Sequence, residues 1–131
     1  MTTSTQIVTG VDFISIPTTD LERSRRFYAD VLGLEESKHW GQENPVGIEF
    51  ENGTVTLALM NNERLGIPFV ANKVPIAFQV EDTHAARAEL ESRGVTFAAD
   101  TIDSGVCHMA PFEDPDGNSL MLHHRYAPPP A

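Results

Sequence analysis

Two stretches of this chain follow one plan. The first is VDFISIPTTDLERSRRFYADVLGLEE, Val11 to Glu36, and the second is VPIAFQVEDTHAARAELESRGVTF, Val74 to Phe97. Each reads as strand, acidic helix cap, amphipathic helix, glycine stop and strand. The two cap-region aspartates, Asp20 and Asp82, stand 62 positions apart, and the turn glycines Gly53 and Gly117 stand 64 apart. A chain that repeats a half-length module is constrained to build two similar units, and such units usually enclose one site. The residues at matching positions then decide which chemistry that site can support.

At 131 residues the chain is expected to form one domain, with modules at about 7–60 and 74–125 and a linker at 61–73. Hydrophobic content of 40% and charged content of 21% are those of an ordinary globular protein. The sequence has no apolar run of the roughly 18 residues needed to cross a bilayer, and no signal-peptide pattern. The single Cys107 excludes an intramolecular disulfide and points to a cytoplasmic setting. A net charge of −10 disfavours nucleic acid and anionic membranes as partners and favours solubility or a cationic ligand. The termini MTTSTQ and APPPA read as loose, extended ends.

In the first strand Val11, Phe13 and Ser15 alternate with Asp12, Ile14 and Ile16, and Pro17 ends the run. Thr19 and Glu22 have the spacing of a capping box. Leu21, Phe27, Tyr28, Val31 and Leu32 form the apolar stripe of the helix, Arg23, Arg25 and Arg26 its wet side, and Gly33 its stop. Leu34 to Trp40 reads as an irregular strand. Val46 to Phe50 and Val55 to Met60 read as a hairpin around Asn52-Gly53. In the second module Asp82 caps a helix running through Arg93, and Gly94 stops it. Val95 to Ala98, Val106 to Phe112 and Ser119 to His124 are strand candidates, the last two joined by the turn Asp114-Pro115-Asp116-Gly117-Asn118. The fold class is α+β: two βαβββ modules forming a cup-shaped, partly open mixed-sheet barrel.

The stretch from Ile16 to Leu34, together with IAFQVED (Ile76 to Asp82) and FEDPDGN (Phe112 to Asn118), resembles the vicinal oxygen chelate superfamily of glyoxalases, bleomycin-resistance proteins and extradiol dioxygenases. The resemblance spans about residues 7–125 and implies that each module supplies half of an open cup. In metal-using relatives the first and last strand of each module carry a ligand. The corresponding positions here are Phe13, Ala58, Pro75 and Met121, the last lying four residues beyond Gly117. Three of these side chains offer no donor and the fourth a soft thioether, whereas zinc, iron, manganese and magnesium want imidazole and carboxylate. No metal ligand set and no cofactor are therefore expected.

Strand parity sends Phe13, Ser15, Thr56, Ala58, Met60, Pro75, Ala77, Gln79, Met121 and His123 toward the cup. This lining suits a bulky or aromatic organic ligand. Trp40, near the cup mouth, is either a stacking platform or an edge-packing residue. Glu49 is either a base or cation partner facing the cup, or a solvated rim charge. His123 is the one inward group able to move protons near neutral pH; its plain alternative is a structural role. The alternative for Phe13, Met60 and Met121 is that they fill a closed core. The parity of Cys107, His108 and Met109 is ambiguous from the strand alone; matching Phe112 to Phe50 sends His108 to the helix side and Cys107 and Met109 inward, while His124 should point away from the cup as a surface group. Three functions compete: metal-independent binding of a small molecule; metal-free isomerase, cyclase or lyase chemistry at His123 with Glu49 or Gln79; and a metal-dependent dioxygenase or glyoxalase-type reaction drawing on unusual ligands. Exposed sheet edges make a homodimer the expected assembly.

Overall fold

The computed structural model describes residues 5–41 and 43–129. The outermost residues of the two expected loose ends, 1–4 and 130–131, and Gln42 in the turn after Trp40 lie outside the described residues. The first module contains β1 (Phe13–Pro17), α1 (Leu21–Arg26), β2 (Glu35–Trp40), β3 (Gly47–Glu51) and β4 (Thr56–Met60). The second contains β5 (Ile76–Gln79), α2 (Thr83–Ser92), β6 (Ile102–Asp103), β7 (Cys107–Glu113) and β8 (Ser119–Arg125). Each module makes a four-stranded mixed sheet, ordered β1-β4-β3-β2 and β5-β8-β7-β6, with its first strand parallel to its last. The class is α+β and neither sheet closes into a barrel. The repeat read from the sequence is thus a repeat of topology.

Both helices begin where an aspartate side chain accepts an amide hydrogen bond. Asp20 accepts from the Arg23 amide at 3.1 Å, and Asp82 from the Ala85 amide at 3.0 Å. Asp20 therefore replaces the expected Thr19–Glu22 capping box, and Glu22 instead pairs with Arg25 at 2.6 Å. After Arg26 the first helix widens into a π-helical turn over Phe27–Val31, closed by the Leu32 amide on the Phe27 carbonyl at 3.0 Å. The strand expected at Val95–Ala98 is absent: these residues run irregularly, with Phe97 turned into the core beside Phe112, ring centroids 5.2 Å apart. Packing a single large ring outweighs the β-propensity of so short a run. The linker holds a short 3-10 turn at Asn62–Leu65.

One core serves both modules. Ile16, Tyr28, Ile48, Phe50, Leu57 and Leu59 from the first join Leu90, Phe97, Ala110, Phe112, Leu120 and Leu122 from the second. The strand residues among them are the helix-side positions, as alternation predicts. The modules are then latched by the Asp114–Asn118 turn. Asp114 accepts from the Tyr28 hydroxyl at 2.6 Å and from the Asn118 amide group at 2.8 Å. Asp116 accepts from the Thr18, Thr19 and Ser24 hydroxyls, the Thr19 amide and the Arg23 guanidinium, at 2.6 to 3.1 Å. Asn118 donates to the Pro17 carbonyl at 2.8 Å. Arg23, on the wet side of its helix, thus joins the latch while its side chain stays 41% exposed. Gly117, with φ of +83°, turns the chain so that Asp114 and Asn118 can exchange bonds.

The Asp116 carboxylate is 2% exposed. Burial alone would raise its pKa, but the hydrogen bonds from Thr18, Thr19 and Ser24 outweigh burial and hold it below the ordinary value. A group with a depressed folded pKa contributes stability above its unfolded pKa of about 3.9 and loses it as pH falls through the folded value. Replacing Asp116 with Ala strands several buried donors and is expected to lower stability by about 2–4 kcal/mol in urea denaturation. Asp116→Asn should flatten the acid limb of stability against pH below about pH 4. An unchanged limb in that variant would remove Asp116 as its source.

Candidate functional site

Each sheet buries one face in the shared core and leaves the other uncovered. On the first sheet the strand register places Phe13 opposite Thr56, Ser15 opposite Ala58 and Pro17 opposite Met60. It also sets Glu49 opposite Ala58, Gly47 opposite Met60, Lys38 opposite Glu49 and Trp40 opposite Gly47. Phe13, Ser15, Thr56, Ala58, Met60, Glu49 and Trp40 therefore share one open face. Phe13 is 51% exposed and Trp40 41%. Ala58 is only 2% exposed, so it forms floor rather than contact surface.

Trp40 and Glu49 act as a unit on that face. The indole Nε1 donates a short hydrogen bond to the Glu49 carboxylate, which fixes the ring and directs the charge. A β-bulge at Ser37 makes this possible: the register shifts between Glu36 and Lys38, and Trp40 comes onto the same face as Glu49. Glu36, on the other side of the bulge, turns back toward Arg25 at 3.7 Å. Thr56 donates to Glu51 at 2.5 and 2.9 Å, tying the far end of the face. Met60 lies directly over Gly47, where a Cβ would come within 2.3 Å of its sulfur.

On the second sheet, Ala77 pairs with Met121 and Gln79 with His123, while Met109 also stands opposite His123 and Pro111 opposite Met121. Ala77 and Gln79 are exposed, and Met109, Met121 and His123 are half-buried. Pro75 precedes β5 at the rim. The expected lining residues thus fall into two groups, one per sheet. Among the described residues, no hydrogen bond, ion pair or ring contact joins the two groups, and no strand pairs across the sheets. Each chain presents two half-faces.

The side chains at the four positions where metal-using relatives hold a ligand, Phe13, Ala58, Pro75 and Met121, do not fit a hard divalent ion: three are hydrocarbon and one is a thioether. Among the described residues, no group of three or more His, Cys, Asp or Glu side chains is placed to hold a metal. His108 is on the helix side, as parity predicts. His124, expected at the surface, is half-buried, with Nδ1 3.1 Å from the Val80 carbonyl oxygen.

Sequence reasoning missed two features. A cleft of about 1010 Å³ runs between the end of the first helix, the β3–β4 turn and the β5–α2 face, lined by Leu32, Leu34, Phe78 and Val80 with Glu89 and Arg93 at its edge. It forms only when the modules dock, which no local pattern reports. The second is a cluster in which His108 stacks with Tyr126 at 4.6 Å and meets His84 edge-on at 4.9 Å, while the Tyr126 hydroxyl donates to Asp103 at 2.8 Å. The Gly105 amide and the Tyr126 hydroxyl hold Asp103 below its ordinary pKa. The sequence signal was there in His84, His108 and Tyr126, but their convergence depends on strand register.

The fold finds counterparts among known proteins. The family model of the Glyoxalase/Bleomycin resistance protein/Dioxygenase superfamily matches residues 10–122, and the chain belongs to that superfamily. A comparison with curated proteins yields no match. Among solved structures the chain is similar to TnmS3, an antibiotic binding protein from Streptomyces sp. CB03234, at 21% identity and TM-score 0.77, covering 92% of this chain and 99% of that one. A superfamily member from Sphaerobacter thermophilus is 23% identical with TM-score 0.76, covering 90% and 98%. A lactoylglutathione lyase from Agrobacterium tumefaciens is 18% identical with TM-score 0.73, covering 88% and 93%. At these identities the likeness is one of fold, shared by an antibiotic binder and a lyase alike.

The contact of Met60 with Gly47 gives a direct check on the first face. Gly47→Ala must displace the Met60 thioether and is expected to destabilise by about 1–3 kcal/mol in thermal or urea unfolding. Adding Met60→Ala should recover part of that loss, because the nearest obstacle is then gone. Equal, additive losses in the double variant would show that the two side chains do not interact.

Proposed function

We propose that this protein binds a bulky, at least partly aromatic organic molecule, and that it does so without a hard divalent metal. The observation carrying this reading is the open face of the first sheet, where half-exposed Phe13 stands at the Thr56 end and the Trp40–Glu49 unit at the Met60 end. Aromatic rings supply large contact area at small entropic cost, and the Met60 thioether on the Trp40 side of the face adapts to irregular shapes. Ser15, Thr56 and Gln79 provide polar contacts for orientation. The antibiotic-binding role stated for the Streptomyces structure of the same fold supports this reading.

In this proposal the two modules work as one domain and a second copy of the chain completes the site. The first-sheet face of one protomer would lie across from the second-sheet face of its partner, bringing Phe13 and Trp40 over Pro75, Gln79, Met121 and His123. The unpaired edges of β1 and β5 give the physical reason to associate. A cytoplasmic setting suits the free, buried Cys107 thiol. Among the described residues no helix is long and apolar enough to cross a membrane. Catalysis at His123 has less support, because no hydrogen bond among the described residues fixes a tautomer of its imidazole.

Trp40 is the chain's single tryptophan and reports on the face itself. A panel of polycyclic aromatic antibiotics should contain compounds that raise the melting temperature and quench Trp40 fluorescence together. Phe13→Ala and Trp40→Ala should each weaken such a compound by about tenfold or more in calorimetry. Binding unchanged in both variants would move the site elsewhere. Sedimentation at micromolar concentration should give twice the chain mass; a monomer that still binds would remove the two-copy site but leave the first-sheet face.

A further inference from the structure

The open face of the second sheet gathers soft donors. On β7, Cys107 and Met109 point to this face, and on β8, Met121 and His123 do so too. Met109 stands directly opposite His123, and Met121 lies two residues before His123 on the same strand, diagonal to Met109. Directly opposed residues on antiparallel strands have Cβ atoms about 4.5–5.5 Å apart and diagonal ones about 7–8 Å. Those separations are within reach of thioethers carried on flexible three-torsion side chains. The nearest register neighbours are Ala77, Gln79 and Pro111, and the first and last of these flank Met121 with little bulk. The charges on the face stand at its two ends and are already partnered: Glu113 with Lys73 at 2.9 Å, and Arg125 with the Ala127 and Pro128 carbonyls at 2.9 and 3.3 Å. No carboxylate stands directly opposite Met109, Met121 or His123, and no hydrogen bond among the described residues engages the His123 imidazole.

We propose that Met109, Met121 and His123 form a binding site for a soft monovalent cation, Cu(I). Thioether sulfur and neutral imidazole are the donors that Cu(I) accepts, whereas zinc, magnesium and manganese are poorly served by a set with two thioethers and no carboxylate. The single positive charge suits a half-buried site with no carboxylate directly opposite its donors, where a divalent ion would carry a larger desolvation cost. Cys107, buried and two residues before Met109, borders the set. This site shares Met121 and His123 with the second-sheet half of the organic-ligand reading, but the two fail separately: a chain that holds no copper can still bind an aromatic compound through Phe13 and Trp40, and the reverse.

The test is anaerobic titration with Cu(I) against a chromophoric Cu(I) chelator. The expected result is a single equivalent held per chain, with no comparable retention of Zn(II). Leu conserves methionine volume, so Met109→Leu/Met121→Leu should keep the fold while weakening Cu(I) on the order of 100-fold, and His123→Gln should weaken it about tenfold. A parallel measurement needs no variant: with methionine methyl groups isotopically labelled, Ag(I) as a redox-inert probe should shift the Met109 and Met121 resonances and leave Met60 unmoved. The proposal is overturned if the chain withdraws no copper from the chelator, or if the double Leu variant holds it as tightly as the native chain. It is equally overturned if Cys107→Ser alone abolishes binding while the methionine resonances stay fixed.

Discussion

The contact on which the arrangement depends is a turn of the second module gripping the first helix of the first. Asp114, Asp116 and Asn118 take Tyr28, Thr18, Thr19, Ser24, Arg23 and the Pro17 carbonyl as partners. These bonds fix how the two helix-side faces meet, and hence that one core is shared. Charged and neutral donors converge on buried carboxylates there, so each bond is stronger than a surface equivalent and each loss leaves an unpaired group. The apolar core supplies most of the driving force, but it is tolerant of orientation in a way that the latch is not. Everything said about the open faces follows from it, because burying one side of each sheet in the common core is what leaves the other side bare.

Much of this was legible in the sequence. Period-two alternation in the strands assigned Ile16, Leu57, Leu59, Leu120 and Leu122 to the core correctly, and the Asn-Gly and Asp-Pro-Asp-Gly-Asn turns fell where their chemistry requires. The parity that put Cys107 and Met109 on one face and His108 on the other also held, since strand register preserves it. The misreadings have local physical causes. Thr19 and Asp20 are both competent caps, and Thr19 is drawn away by Asp116, a residue 97 positions distant. Val95–Ala98 reads as a strand until Phe97 finds the core.

The placement of the open faces was harder to read. Alternation says which side chains share a face, but not which faces confront each other across the molecule. The ten residues assigned to the lining stand on two sheets, and strand register alone does not say how those two faces meet. The bulge at Ser37 is a similar case: without it Trp40 would not reach the side of Glu49, and no turn residue announces it. Non-local geometry of this kind is carried by the docking of elements rather than by their internal patterns.

The seat of Met60 on Gly47 has a consequence for how this face can vary. Gly47 has no side chain because a sulfur occupies the place where one would stand, and Met60 keeps its position because the strand beside it is bare. A side chain at 47 has to push the thioether aside or meet a smaller residue at 60, so the two positions form an epistatic pair. A lineage that gained a side chain at 47 would carry either a displaced Met60 or a smaller residue in its place. The shape of this surface therefore changes at both positions together, and selection for a new ligand would act on the pair.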